Sequence, residues 1–259
     1  MLNHHKGVEI ELIRIVQGKK EKVSDLVARE IAVTIMVNKE ELVCLPCSPG
    51  KINYLAVGFL LSSGILKHID DILSMETRKN FFQIEMKNFQ KSCLEKIHFS
   101  KISEFREQMK IMDKSVALSS IQRTFAIDPD LIYTLLAKME EKSAFFRLSG
   151  GVHSCGLADS RGKIHFFCED ISRYNTIDRI FGEAFLKNID TRDKIILTSC
   201  RISYGIIKRV IIGNVPVVIS RSAVTDRAIQ LAQQRGITLV GFARNRKMNI
   251  YTHADGIAI

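Results

Sequence analysis

The feature that most constrains the fold is an alternation of two hydrophobic periods after Tyr174. Ile177, Ile180, Phe181 and Ala184 recur at helical spacing, and the apolar run Lys194–Thr198 that follows is short enough for a buried strand. The exchange repeats. A helix around Ile206 to Ile211 leads to strand Val217–Ser220, and a helix around Ala223 to Gln234 leads to Ile237–Phe242. Helices set between short apolar strands predict an open α/β sheet with helices on both faces. Such sheets take ligands beyond the carboxyl ends of their strands. Here those ends are the loops near Cys168, Cys200, Arg221 and Arg244.

Upstream the pattern differs. Residues 8 to 47 read as β structure, with Ile31, Val33, Ile35 and Val37 alternating with Ala32, Thr34 and Met36. Asn38 to Glu41 turn this run into a second one, Leu42 to Leu45, which predicts a hairpin. Ser48 followed by Pro49 reads as a helix start, with Ile52, Leu55, Ala56, Phe59 and Leu60 on one face and Gly64 as the stop. Residues 65 to 127 give short strands around Phe81 to Met86 and then a linker rich in Lys and Glu. Asp128-Pro129 opens another helix, burying Leu131, Ile132, Leu135 and Met139, and the segments Val152–Ala158 and Lys163–Phe167 pair around a turn at 159–162. The chain therefore divides into an N-terminal α+β region, 1–127, and an α/β ligand-binding domain, 128–259.

Charge narrows the partners. Lys plus Arg number 38 against 28 Asp plus Glu, so the formal charge of +10 favours polyanions: nucleic acid, phosphorylated cofactors or an acidic protein surface. No run approaches the ~20 apolar residues of a membrane span, and the start Met-Leu-Asn-His-His-Lys does not read as a signal peptide. A cytoplasmic location is expected. There the six cysteines, at 44, 47, 93, 155, 168 and 200, should be reduced.

The residue constellations that could carry chemistry are few. Arg244-Asn245-Arg246-Lys247 follows the strand ending at Phe242 and Ala243, and puts three cations in one loop. Guanidinium groups grip phosphate oxygens in pairs, so the loop suits a pyrophosphate, although a solvated hairpin tip has the same composition. Ser220-Arg221-Ser222 stands at another strand end ahead of a helix, where hydroxyls and amides form either an anion site or a simple cap. Cys44-Leu-Pro-Cys47 is the one CxxC in the chain; it suits a thiol pair that relays sulfur, or a strand end packed on the next helix. His153, Cys155, His165, Cys168, Glu169 and Asp170 lack the paired spacing of a zinc site. A zinc nucleobase deaminase is excluded by the missing H-x-E and P-C-x-x-C. Nor is there a P-loop, a G-x-G-x-x-G or a G-x-S-x-G.

Several long segments, in order along the chain, resemble the FdhD/NarQ family of formate dehydrogenase accessory proteins. They are Ser48 to Gly64, Gly150-Gly-Val-His-Ser-Cys155, Cys168 to Asp178, and a run from Ser199 to His253. That run holds Arg201-Ile-Ser-Tyr204, Ser220 to Asp226, Leu239 to Arg244 and Met248 to His253. The resemblance implies a cytidine-deaminase-like mixed sheet in the C-terminal domain and a homodimer. It also implies a role: taking sulfur from a cysteine desulfurase to the Mo-bis(molybdopterin guanine dinucleotide) cofactor before that cofactor enters the formate dehydrogenase catalytic subunit. The segment Phe242 to Lys247 corresponds to the family's contact with the guanine dinucleotide, which makes GDP a surrogate ligand. One departure stands out. Sulfur-carrying members have a glycine-flanked CxxC ahead of the Asp128 helix, whereas residues 98–110 here contain no cysteine and the nearest is Cys93. Cys47 falls where many relatives carry a cysteine, Cys44 is extra, and the two stand as candidate replacements for the missing pair. A binding chaperone without sulfur transfer, or a partner of formate dehydrogenase that binds no ligand, follows if they are not. Against a nucleic-acid-binding reading stand the lack of interleaved aromatic residues and the grouping of Arg near strand ends.

Overall fold

The computed structural model describes residues 6–87, 89 and 120–258. Its first element is an antiparallel ribbon of β1 (Gly7–Val16) and β2 (Lys19–Ala28), joined at Gln17-Gly18. The expected hairpin follows as β3 (Ile31–Val37) and β4 (Glu40–Cys47). Its turn residues Asn38 and Lys39 both have positive φ, the twist that lets a two-residue turn join right-twisted strands. After α1 (Ile52–Ser62), β5 (Ile72–Arg78) and β6 (Phe81–Met86) complete a four-stranded sheet in the order β4-β3-β6-β5. Val33, Ile35, Val37, Phe82 and Ile84 turn one face of it onto Leu55, Ala56 and Leu60 of α1.

The helix start expected at Ser48-Pro49 lies elsewhere. Lys51, in a left-handed conformation, precedes the first helical residue Ile52, and no side chain caps the helix. Ser48 is used across the fold instead: its Oγ accepts from the Ile171 N–H at 3.1 Å, and its own N–H donates to Asp170 at 3.2 Å. The linker and the region around Cys93 fall outside the described residues.

The chain resumes with α2 (Pro129–Lys142), capped as expected by Asp128, whose carboxylate accepts from the Asp130 N–H at 2.7 Å. A short α3 (Ala144–Ser149) leads to β7 (His153–Asp159) and β8 (Ile164–Asp170). The rest alternates: α4 (Arg173–Leu186), β9 (Lys194–Thr198), α5 (Tyr204–Ile212), β10 (Val217–Ser220), α6 (Asp226–Arg235), β11 (Thr238–Arg244) and β12 (Lys247–Thr252). The six strands form one mixed sheet in the order β12-β11-β10-β9-β7-β8, with β9, β10 and β11 parallel.

Side-chain alternation splits these strands between two cores. Ile196, Val218 and Leu239 face α4, α5 and α6, whereas Ile195, Leu197, Val217, Ile219 and Val240 face Ile132, Leu135 and Met139 of α2. The sheet is thus covered on both sides, as its apolar strands require. The two sheets meet through α1 and α4, which cross at glycines. A Cβ on Gly58 would lie 1.8 Å from the Asp178 carbonyl oxygen, and one on Gly182 would lie 2.0 Å from that of Tyr54.

Candidate functional site

The β11–β12 hairpin holds the cationic loop at the carboxyl edge of the parallel strands. Asn245 and Arg246 form its two-residue turn, both with positive φ, so Arg244 and Lys247 stand opposite each other. Just before the turn the ladder slips. Gly241 pairs with Asn249 and Arg244 with Lys247, which sets two residues of β11, Phe242 and Ala243, against Met248 alone. This bulge advances the strand's phase by one residue. Ala243 therefore enters the same core as Val240, three positions back, and Phe242 is turned outward in a left-handed conformation. The Phe242 N–H keeps a backbone bond to the Ser222 carbonyl at 3.0 Å, so the phenyl ring is exposed on a fixed backbone.

The outcome is an open cleft of about 280 Å³ lined by Phe242, Arg244, Asn245, Lys247 and Asn249. The Arg244 guanidinium sits 6.0 Å from the centre of the Phe242 ring. Among the described residues, neither Arg244 nor Lys247 has a carboxylate within 4 Å. Arg246, the third expected cation, turns away from the cleft. It bonds Asp130 at 2.7 Å and lies 5.7 Å from the Tyr133 ring, against the start of α2. In a two-residue turn, successive side chains diverge, so three cations adjacent in sequence do not form one triad. Asn249 was not anticipated; its signal was its position two residues after Lys247, on the same face of a strand.

Ser220, Arg221 and Ser222 do not form an anion site at a helix start, because α6 begins only at Asp226. The Ser220 hydroxyl is buried and committed, donating to the Cys200 carbonyl at 2.7 Å and accepting from the Ser222 N–H at 2.9 Å. Arg221 pairs with Glu140 of α2 at 2.7 Å. The three residues support the hairpin, with Ser222 anchoring Phe242, and do not line the cleft.

Cys44 and Cys47 both lie on β4. Three residues apart in a strand, they point to opposite faces: Cys44 is exposed and Cys47 is buried in the core under α1. Burial pushes the Cys47 thiol up to about 12, against a smaller downward pull from Arg179. The structure does not bring the two sulfurs together.

Next to Cys47 runs a buried polar network that joins the two halves of the chain. Asp170 accepts from Arg179 at 2.7 and 2.8 Å, from the Ser172 N–H at 2.9 Å and from Asn175 at 3.0 Å. Arg179 also donates to the carbonyls of Ser48, Gly50 and Lys51, and Asn175 to that of Pro46. Every charged group here is paired and bonded, the condition under which a buried ion pair is tolerated. The cysteines at 155, 168 and 200 are also buried, with thiols raised above their ordinary value chiefly by burial. Among the described residues no group of His, Cys, Asp and Glu could hold a metal ion.

The "Sulfur carrier protein FdhD" of Bacillus subtilis (strain 168) is 32% identical over 253 residues, covering 94% of this chain and 95% of the relative. That of Bacillus pumilus (strain SAFR-032) is 35% identical over 240 residues, covering 90% and 91%. A crystal structure from Desulfotalea psychrophila, assigned as a formate dehydrogenase accessory protein, superposes with a TM-score of 0.80 over 97% of this chain and 99% of its own. At 18% identity it speaks for the fold alone. The profile of the FdhD/NarQ family matches residues 28–258, and the chain belongs to that family.

Proposed function

We propose that this chain is an accessory protein for formate dehydrogenase that holds the Mo-bis(molybdopterin guanine dinucleotide) cofactor as cargo, one dinucleotide arm seated in the cleft at the β11–β12 hairpin. The observation that carries this reading is the pair of cations at the tip, Arg244 and Lys247, which have no carboxylate of their own among the described residues. A pyrophosphate would supply the counter-charge, with the guanidinium binding its oxygens in pairs and the ammonium acting as a point charge. The outward Phe242 ring offers a flat apolar surface beside them, suited to stacking a guanine base.

In this reading sulfur comes from a cysteine desulfurase and is delivered to the held cofactor before insertion into the catalytic subunit. Of the described cysteines only Cys44 is exposed, so it is the described thiol open to a protein donor. The burial of Cys47 favours a second version, in which the chain binds and delivers the cofactor without carrying sulfur on the Cys44–Cys47 pair. Activation of formate dehydrogenase in cells lacking their own accessory protein tests both. Wild type should restore activity, and Arg244→Ala/Lys247→Ala should lower it at least about tenfold, the scale of losing one charge-assisted pair. Full activity of the double variant would reject the cleft. Loss of activity in Cys44→Ser would reject the version without sulfur transfer.

A further inference from the structure

A second cationic cluster lies on the same sheet edge, two strands away from the hairpin cleft. Arg173 opens α4, and the ring of the next residue, Tyr174, has two guanidinium groups over it. The Arg173 guanidinium is 4.9 Å from the ring centre and that of Arg209 is 4.7 Å. Tyr174 Oη lies 3.4 Å from Ser203 Oγ and 3.5 Å from an Arg173 nitrogen, which ties the start of α4 to the loop after β9. Gly205 leaves room for this ring, since a Cβ there would meet it at 3.0 Å.

The two guanidinium groups differ in what they bind. Arg209 is neutralised by Asp178 at 2.9 Å. Arg173 is not: its Nε is buried without an acceptor. The nearby carboxylate of Asp170 is already taken by Arg179, Asn175 and Ser172. Arg201, exposed in the loop after β9, also has no carboxylate within 4 Å among the described residues. Burial raises the Cys200 thiol at the end of β9, against a smaller downward pull from Arg173 and Arg201, and burial together with Arg173 lowers the half-buried His153 imidazole on β7. A buried donor left unsatisfied is costly, and Arg201, two residues before the Ser203 that meets Tyr174, adds a second positive charge to this edge. An oxygen-rich anion would relieve both.

We propose that Arg173, Arg201 and Ser203 form a second oxyanion-binding site, which takes a phosphoryl group independently of the Arg244–Lys247 cleft. Backbone bonds define the spacing of the loop that carries Ser203 and the strand end that carries Phe242. Ile202 N–H donates to Ala223 O, and Ser222 O accepts from Phe242 N–H, so one strand end separates the loops. At the spacing of paired strands this is roughly 10 Å. The site therefore suits a ligand with two separated phosphoryl groups, one for each end, or a phosphorylated molecule bound alone.

The test is titration of the full chain with inorganic phosphate at low ionic strength, followed by calorimetry and by the imidazole resonances of His153. Wild type should saturate with a movement of the His153 signals. Arg201→Ala, an exposed change that leaves the core intact, should weaken binding about tenfold, the loss of one charge-assisted contact. Arg173→Gln should do the same, while Arg244→Ala/Lys247→Ala should change the phosphate affinity read at His153 by no more than about twofold, a through-solvent charge effect. No saturation in wild type up to roughly 50 mM phosphate, weaker than any millimolar site, would overturn the proposal. So would a phosphate response at His153 that follows Arg244 and Lys247 while substitutions at Arg173 and Arg201 leave it unchanged.

Discussion

Cys44 and Cys47 share a strand but not an environment, and at the scale of single residues that difference decides their chemistry. The spacing of the pair was legible in the sequence. Its meaning was not, because a C-x-x-C brings sulfurs together in a helical turn or tight loop and separates them in an extended strand. The folded protein holds the Cys47 proton more tightly than the unfolded chain does, with the thiol raised from 9.0 to about 12. The stability associated with that proton is complete below pH 9 and is lost as pH rises towards 12. Alkylation of the native protein at pH 8, read by mass spectrometry, should therefore modify Cys44 well before Cys47, Cys155, Cys168 or Cys200. Equal labelling of Cys47 under native conditions would contradict the burial argument. Ser48 departs from its local pattern for a related reason. It carries every local mark of a helix cap, but Asp170 and Ile171, more than 120 residues away, use its N–H and hydroxyl, and no local pattern reports so distant a partner.

At the scale of elements, periodicity was a reliable guide wherever packing enforced it. Strands Lys194–Thr198 and Val217–Ser220 fall where the apolar runs placed them, because a buried strand between two helical layers must be apolar on both faces. The features that depart from periodicity are irregular ones. The helix after β10 starts at Asp226, so Ser220 to Ser222 brace the hairpin and do not cap a helix. The bulge at Phe242 and Ala243 left no mark in the hydrophobic pattern, yet it is what turns Phe242 towards solvent. The crossing of α1 and α4 gives a prediction at this scale. Since a methyl group on Gly58 would overlap the Asp178 carbonyl, Gly58→Ala must push the helices apart. Denaturant unfolding should show a loss of about 1–3 kcal/mol or more, the cost of overpacking, whereas Ala is ordinarily the better helix former. An unchanged or increased stability would mean that the helices do not meet at this glycine.

At the scale of the whole molecule, the formal charge of +10 predicted an anionic partner but could not say where it would bind. The fold brings the ends of β9, β10 and β11 to one edge, where Arg244 and Lys247 stand without carboxylate partners among the described residues, and that edge is the proposed position. Arg246, equally prominent in sequence, pairs at the surface with Asp130, and such exposed pairs contribute little to stability. Two specific cations of this loop, not its total charge, are thus proposed to seat the ligand. Calorimetric titration of GDP tests it most directly, comparing wild type with Arg244→Ala, Lys247→Ala and Arg246→Ala. Saturable binding is expected, weakened about tenfold by each of the first two changes and about twofold or less by the third. Equal losses from all three, or no binding by folded wild type, would contradict it.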